Sequence, residues 1–437
     1  MTIIIGAGLS GLTCAKVLAT AGHTELIVLD KADQVGGRVA TTTTDEGFVL
    51  DHGFQVLLDS YPTAARHLDI EALDPCWFRS GTLLADGSRS APRRLMNPLQ
   101  GGGGLGELFR LPIGWLERIR LAKLGASVLS QSEEGLGHRR AGISTAQYLE
   151  DMGISEETVD LLIRPFFAGV LLDDDLSCDA SLFRTYIRRF ATGVALVPKR
   201  GIQAIPEQLA SHLPDGALRL NSAFDSLITE GEGELSRVTG VRLESGEELR
   251  CDHVVLAMDG ATTAEILDLP KPGFRTTTAL YFKSDRALYS EPLLVTQSGR
   301  SPLVRNLVQM TNINPNAAPE GQHLVVANIV RSTGKTPQSD LFKAAREEIA
   351  QIFPDTAGSL EPLRAMPIRQ ALPDQVPGFW EPWTNALRHL PQGALLAGDC
   401  ILQGSIQGAM ESGVAAAQTI LSARKTGDLH RPTDDSK

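Results

Sequence analysis

Three glycines, Gly6, Gly8 and Gly11, follow the apolar run 1–5 in the spacing GxGxxG. At a strand-to-helix junction each has a physical task. Gly6 permits the tight turn, Gly8 lets the backbone come within contact of a pyrophosphate, and Gly11 lets the helix pack closely on the strand. The helix N-terminus offers N–H groups to the anion, and Leu9 and Ser10 join the glycines as expected contacts. Asp30 stands 24 residues after Gly6, with Lys31 beside it, where the ribose hydroxyls of an adenine dinucleotide would hydrogen-bond. A second constellation, Gly36-Gly37-Arg38, puts a guanidinium fork near the same pyrophosphate, where bidentate contacts are possible. No simple NAD-binding unit requires it, so flavin is favoured over nicotinamide. The third constellation closes the chain: an apolar run over 395–397 ends in Gly398-Asp399, and Gly404 to Ala409 opens a small-residue helix. Asp399 would meet ribityl or ribose hydroxyls, while the positive end of that helix faces the ring edge where reduction builds negative charge. The agreement of both ends of the chain on one dinucleotide points to FAD.

The elements that must position these residues follow from periodicity. The sequence predicts a strand over 1–5, a helix over 12–21 that stops at Gly22-His23, and a strand over 26–29 ending at Asp30. Short strands over 40–44 and 48–50 bring Asp51-His52-Gly53 back toward the cofactor, a helix covers 61–67, and Leu83-Leu84 with Asp86-Gly87 reads as a hairpin. Gly101 to Gly104 read as a mobile loop. Residues 105–129 form one or two amphipathic helices broken near Pro112, with Arg110, Arg118, Arg120 and Lys123 between the apolar positions. Such a face either is solvated or lies on an anionic membrane. Ser144 caps one helix, and Ser155 with Thr158 opens another that runs to Arg164-Pro165. Further on, the pattern gives a helix over 205–213, a strand pair over 218–228 bent at Asn221-Ser222, a hairpin turning at Ser245-Gly246 and a buried strand over 252–258. Strands over 276–283, 303–310 and 324–330 and a helix capped by Ser339 complete a second, α+β block.

With these motifs the sequence resembles the amine oxidase, protoporphyrinogen oxidase and carotenoid desaturase superfamily of FAD-dependent oxidoreductases. The resemblance extends through Asp51-His52-Gly53-Phe54-Gln55 and returns at Gly398-Asp399. It implies an α/β fold, in which a Rossmann-like doubly wound FAD-binding domain is interleaved with an α+β substrate domain made of a helical block and a mixed or antiparallel sheet. The expected cofactor segments are 1–80, 194–265 and 385–425; 81–193 and 266–384 form the substrate domain, and 426–437 a disordered tail. The resemblance further implies that Gly53, Phe54 and Gln55 line the flavin ring, that Phe224 meets the adenine through its backbone, and that Ile406 and Ala409 bring the closing helix to the ring. Gln55, Arg369 and Gln407 are the ring-facing candidates, and no catalytic base is assigned.

Departures from the amine oxidase branch narrow the substrate. Its lysine near flavin N5 matches about Thr277, and its aromatic cage corresponds here to Pro367-Ile368-Arg369-Gln370-Ala371-Leu372-Pro373. Cys400 follows the Gly-Asp motif instead of preceding it, so noncovalent FAD is expected. The segments Trp115-Leu116-Glu117-Arg118-Ile119, Pro165-Phe166 and Pro206-Glu207-Gln208-Leu209 resemble the desaturase branch, which abstracts hydrogen from long apolar chains. The expected activity is hydride acceptance at flavin N5 from a bulky, largely apolar molecule, with O2 or a quinone as final acceptor. The alternatives are oxidation of a secondary or cyclic amine and a non-redox isomerisation.

Composition sets the outer bounds. The 437 residues suffice for two or more structural units. A net charge of −11 argues against nucleic acid as a partner. Five scattered cysteines without CxxC spacing read as reduced thiols rather than bridges or a metal site. The first strand begins at Met1 and no apolar run reaches spanning length, so the expected location is cytoplasmic, with peripheral membrane contact through 105–129 as the one addition.

Overall fold

The computed structural model describes residues 1–87, 91–100, 111–131, 141–330 and 336–426. The four-glycine loop, the start of the 105–129 stretch and the tail beyond 426 lie outside them.

β-Branched and leucine runs with no polar alternation form strands that are buried on both faces. Five of them make a parallel sheet in the order Leu218–Arg219, Leu26–Leu29, Thr2–Ile5, His253–Leu256, Ala394–Leu396. The first strand of the chain is therefore central, and its neighbours arrive from near and very far in sequence. Ile4 and Val255 pack under the opening helix, Leu9–Thr20, and under the closing helix, Ile406–Thr426; Ile3, Val254 and Leu256 face a second apolar cluster on the opposite side. Phe224–Glu230, Arg237–Leu243 and Glu248–Arg250 form a separate meander.

The second sheet has seven strands, in the order Glu361–Pro373, Phe274–Ser284, His323–Val330, Asn306–Gln309, Leu294–Gln297, Gly81–Ala85, Arg93–Met96. All pairs are antiparallel except Leu294–Gln297 with Gly81–Ala85. Alternation assigns its faces. Leu280, Phe282, Val325 and Ala327 pack on the helix Gln338–Ile352, whereas Ala279, Tyr281, Val308 and Val326 pack on Phe48 and Phe78 toward the parallel sheet. A helical block over Thr145–Asp151, Arg164–Leu171 and Ala180–Thr192 closes one side.

Several boundaries differ from expectation for local physical reasons. The opening helix begins at Leu9 rather than near 12, because Gly8 serves as its N-cap in an extended conformation. The strand pair over 218–228 belongs to two different sheets, split where Asn221 turns into the left-handed region at φ 52°. Ser339 lies inside its helix, whose N-cap is Pro337, a residue without an N–H to lose. The helix expected to stop at Arg164-Pro165 continues through a π turn over Val159–Ile163, which leaves Pro165 in the first turn of the next helix, where a missing N–H costs nothing. Among the described residues no helix is long and apolar enough to cross a membrane.

Candidate functional site

At the end of the first strand the three motif glycines divide by what requires them. A Cβ on Gly6, at φ +112°, would lie 2.5 Å from the Ala257 carbonyl oxygen, and one on Gly11 would lie 1.9 Å from that of Gly6. Strand and helix packing alone demand those two. Gly8 is different: its φ is −79°, and a Cβ there would meet no protein atom within 4 Å. Nothing in the protein itself needs glycine at position 8, so its reason lies in what approaches the turn from outside. Gly37 also has open space beside it, its nearest neighbour being the Gly8 Cα at 3.8 Å, although its own φ of +60° favours glycine, and the Gly36 N–H donates to the Ala7 carbonyl at 2.8 Å. The two glycine loops thus lie against each other as a cradle open on one side, which fits a pyrophosphate. Asp30 sits at its edge, accepting from the Ala7 N–H at 2.7 Å and the Ala32 N–H at 2.8 Å.

The far end of the chain completes the cradle. Arg38 reaches across to Asp399 at 2.7 Å and is held more firmly protonated by that carboxylate, against the opposing effect of burial. The Gly398 N–H donates to the Ser412 hydroxyl at 2.8 Å. One residue on, a Cβ at Gly413 would lie 2.1 Å from the Ser10 carbonyl oxygen, so the closing helix crosses the opening helix at backbone contact.

These loops form one end of a continuous cavity of about 1430 Å³ that also lines Gly53, Phe54, Phe224, Ile406 and Ala409. Lys31, Leu9 and Ser10 lie on its wall as well. Gln55 lines it too, with its amide tied to the carbonyls of Arg38 and His52 at 3.0 Å each. The other end is apolar: Leu162, Phe166, Phe167, Val170 and Phe190 come from the helical block, with Phe166 and Phe190 meeting edge to face at 4.7 Å. No cysteine lines it among the described residues, and the Cys400 thiol, its pKa raised by burial, packs toward Gly260.

Two expectations need correction. Gln407 does not face the cavity. It is buried and spends its amide on Thr63, accepting from the Thr63 N–H at 3.0 Å and donating to its hydroxyl at 2.7 Å. Gly11 acts inside the fold rather than at the cavity wall. Arg369 does line the cavity. The structure adds Tyr61, Tyr186, Asn306 and Asn328, which the sequence did not single out. Burial pushes the Tyr61 hydroxyl well above its ordinary range, so it stays neutral. For the two asparagines a usable signal existed: period-two alternation puts Asn328 with Val326 and Asn306 with Val308 on one sheet face.

The profile of the family described as flavin containing amine oxidoreductase matches residues 9–421. A 15-cis-phytoene desaturase of Synechococcus elongatus is 25% identical over 468 residues, covering 96% of this chain and 95% of its own. The chloroplastic/chromoplastic 15-cis-phytoene desaturase of Capsicum annuum is 23% identical over 466 residues, covering 96% and 77%. Among solved structures, cyclohexylamine oxidase from Brevibacterium oxydans superposes with a TM-score of 0.71 at 18% identity, over 97% of this chain and 99% of that one.

Proposed function

This chain belongs to the flavin containing amine oxidoreductase family, and from that premise we propose that it oxidises a bulky, largely apolar organic molecule. It is an FAD-dependent oxidoreductase. The observation that carries the substrate reading is the cavity's second end, where Phe166, Phe167, Val170 and Phe190 make an apolar wall; Thr277, which the resemblance matches approximately to the amine oxidase lysine, also lines the cavity. Relatives named phytoene desaturase along nearly the whole chain support it.

Bound FAD would supply the two-electron acceptor. The protein's part is to hold and to exclude. The N–H groups at the start of Leu9–Thr20 and the Gly8 and Gly37 backbone would take the pyrophosphate, and the remaining lone pairs of Asp30 a ribose. Phe224 would lie along the adenine, Asp399 would meet the ribityl chain, and the N-terminus of Ile406–Thr426, with Ala409, would approach the ring. The aromatic wall keeps water from the reacting C–H bond. A noncovalently held cofactor belongs to the same reading, supported by the lack of a cavity-lining thiol among the described residues. The division into cofactor segments 1–80, 194–265 and 385–425 belongs to the same proposal, supported by a parallel sheet drawing strands from all three. So does peripheral membrane contact, supported by exposed Trp115, Leu116 and Ile119 on the helix Trp115–Leu129.

Anaerobic mixing of the oxidised protein with panels of polyprenes, porphyrinogens and amines, read by loss of flavin absorbance, tests the reading. Bleaching by an apolar donor is expected. Rapid bleaching by a simple primary amine, with no response to apolar compounds, would overturn it.

A further inference from the structure

On three neighbouring strands of the seven-stranded sheet, polar side chains gather at one place on the cavity wall. Asn306 and Asn328 are directly paired across neighbouring strands, and Asn328 is also opposite Ala279 on the third, two residues from Thr277. All three polar residues line the cavity and are more than nine-tenths buried, at 5, 4 and 6% exposure. Thr277 donates its single hydroxyl proton to the Ile329 carbonyl at 2.9 Å and touches one end of the Asn328 carboxamide. Whichever way that carboxamide is turned, its other end has no hydrogen-bond partner among the described residues, and the Asn306 carboxamide has none at either end. The protein makes room for this arrangement: a Cβ on Gly169 would lie 2.1 Å from Asn306 Nδ2.

Carboxamides without protein partners on a cavity wall keep their hydrogen-bonding capacity for whatever enters the cavity. Natural cavities keep such groups where a ligand supplies the missing bonds. The three strands present no charged side chain here. Arg305, the neighbour of Asn306, is fully buried and pairs with Asp174 at 2.6 Å, and the carboxylates on the cavity wall are Asp30, Glu244, Asp259 and Asp399.

We infer that Asn306, Asn328 and Thr277 form a polar anchor for the substrate, which is an amphiphile: an apolar body against the aromatic wall carrying one uncharged hydrogen-bonding group, a hydroxyl or carbonyl, at the sheet. This rests on the apolar-substrate reading and refines it, since a plain hydrocarbon would leave both carboxamides unsatisfied. A charged head would find no countercharge among these three side chains.

A matched set of ten-carbon probes separates the possibilities: geraniol, geranic acid, geranylamine and the hydrocarbon myrcene, titrated into the FAD-loaded protein and followed by perturbation of the flavin spectrum. Geraniol is expected to bind at least about tenfold more tightly than myrcene, a difference of about 1.4 kcal/mol, and more tightly than the acid or the amine. In Asn306→Leu and Asn328→Leu, which keep side-chain size, that preference should fall below about threefold with unchanged FAD content. Gly169→Ala removes no polar group but displaces the Asn306 amide, and should lower the preference too. Equal binding of myrcene and geraniol, preference for the charged probes, or a preference that survives both leucine variants would overturn the anchor and leave the apolar-substrate reading standing. No spectral response to any of the four would overturn both.

Discussion

At the scale of single residues, Gly8 and Gly11 give opposite expectations from one motif. Valine at Gly8 meets no protein atom within 4 Å and no backbone strain at φ −79°, so the protein should fold with an unchanged circular dichroism spectrum yet fail to take up FAD. Valine at Gly11 drives a side chain into the Gly6 carbonyl, and should cost on the order of 3 kcal/mol of stability in a denaturant titration. Equal loss of fold in both would contradict the division. Asp51 carries a pH effect. Burial pushes its carboxyl up to about 6, against hydrogen bonds from the Thr41 hydroxyl and the Ile202 N–H that favour the charged form. The folded state therefore holds this proton more tightly than the unfolded chain, and the contribution to stability is largest below about pH 4 and falls as pH rises through about 6. Asp51→Asn should be spared that decline, on the order of 3 kcal/mol, when melting is compared at pH 4 and pH 7. The glycines and Asp30 were legible in the sequence because a tight turn and a close approach restrict residue type at fixed spacing. Gln407 was misread because it neighbours Ile406 on a helix, and one step turns a side chain about 100° away from the cavity. Asn306 and Asn328 became meaningful only once their strands were paired.

The elements were legible where a local signal ends them and misplaced where a distant partner does. Gly22, at φ 80°, stops the opening helix as expected, and Ser144 caps its helix through the Gln147 N–H. By contrast, the sequence marks the bend at Asn221-Ser222 but not that the strands on either side of it enter different sheets. The closing helix depends on a contact that no local pattern reveals. Gly413→Leu should force it off the Ser10 backbone, lowering both melting temperature and FAD content; a variant with full FAD content would show that the crossing is not needed for the cradle. The helix Trp115–Leu129 makes a separate prediction. Serine at Trp115, Leu116 and Ile119, which are 67, 51 and 43% exposed, should reduce co-sedimentation with anionic vesicles without changing flavin content.

At the scale of the whole molecule, both termini contribute to one ligand site, so FAD should act as a clasp between them. Re-adding FAD to stripped protein at a hundredfold excess over its dissociation constant should stabilise it by about 2.7 kcal/mol. Hydrogen exchange should then slow together in Thr2–Ile5, Leu9–Thr20 and Ile406–Thr426; protection confined to the first sixty residues would refute the clasp. The sequence showed this pairing of ends because each carries its own glycine motif, whereas the order of the seven-stranded sheet was not readable, since its strands share one composition and find neighbours by packing. The central place of the first strand also bears on how the protein is made. Thr2–Ile5 is made long before its partner at His253–Leu256 and the helix that crosses above it, which follow hundreds of residues later. At translation speeds of about 5–20 residues per second, this strand waits roughly 12–50 s with an unpaired apolar edge. The nascent chain is thus a natural client for chaperones, and the flavin cradle is complete only once Ile406–Thr426 has been made.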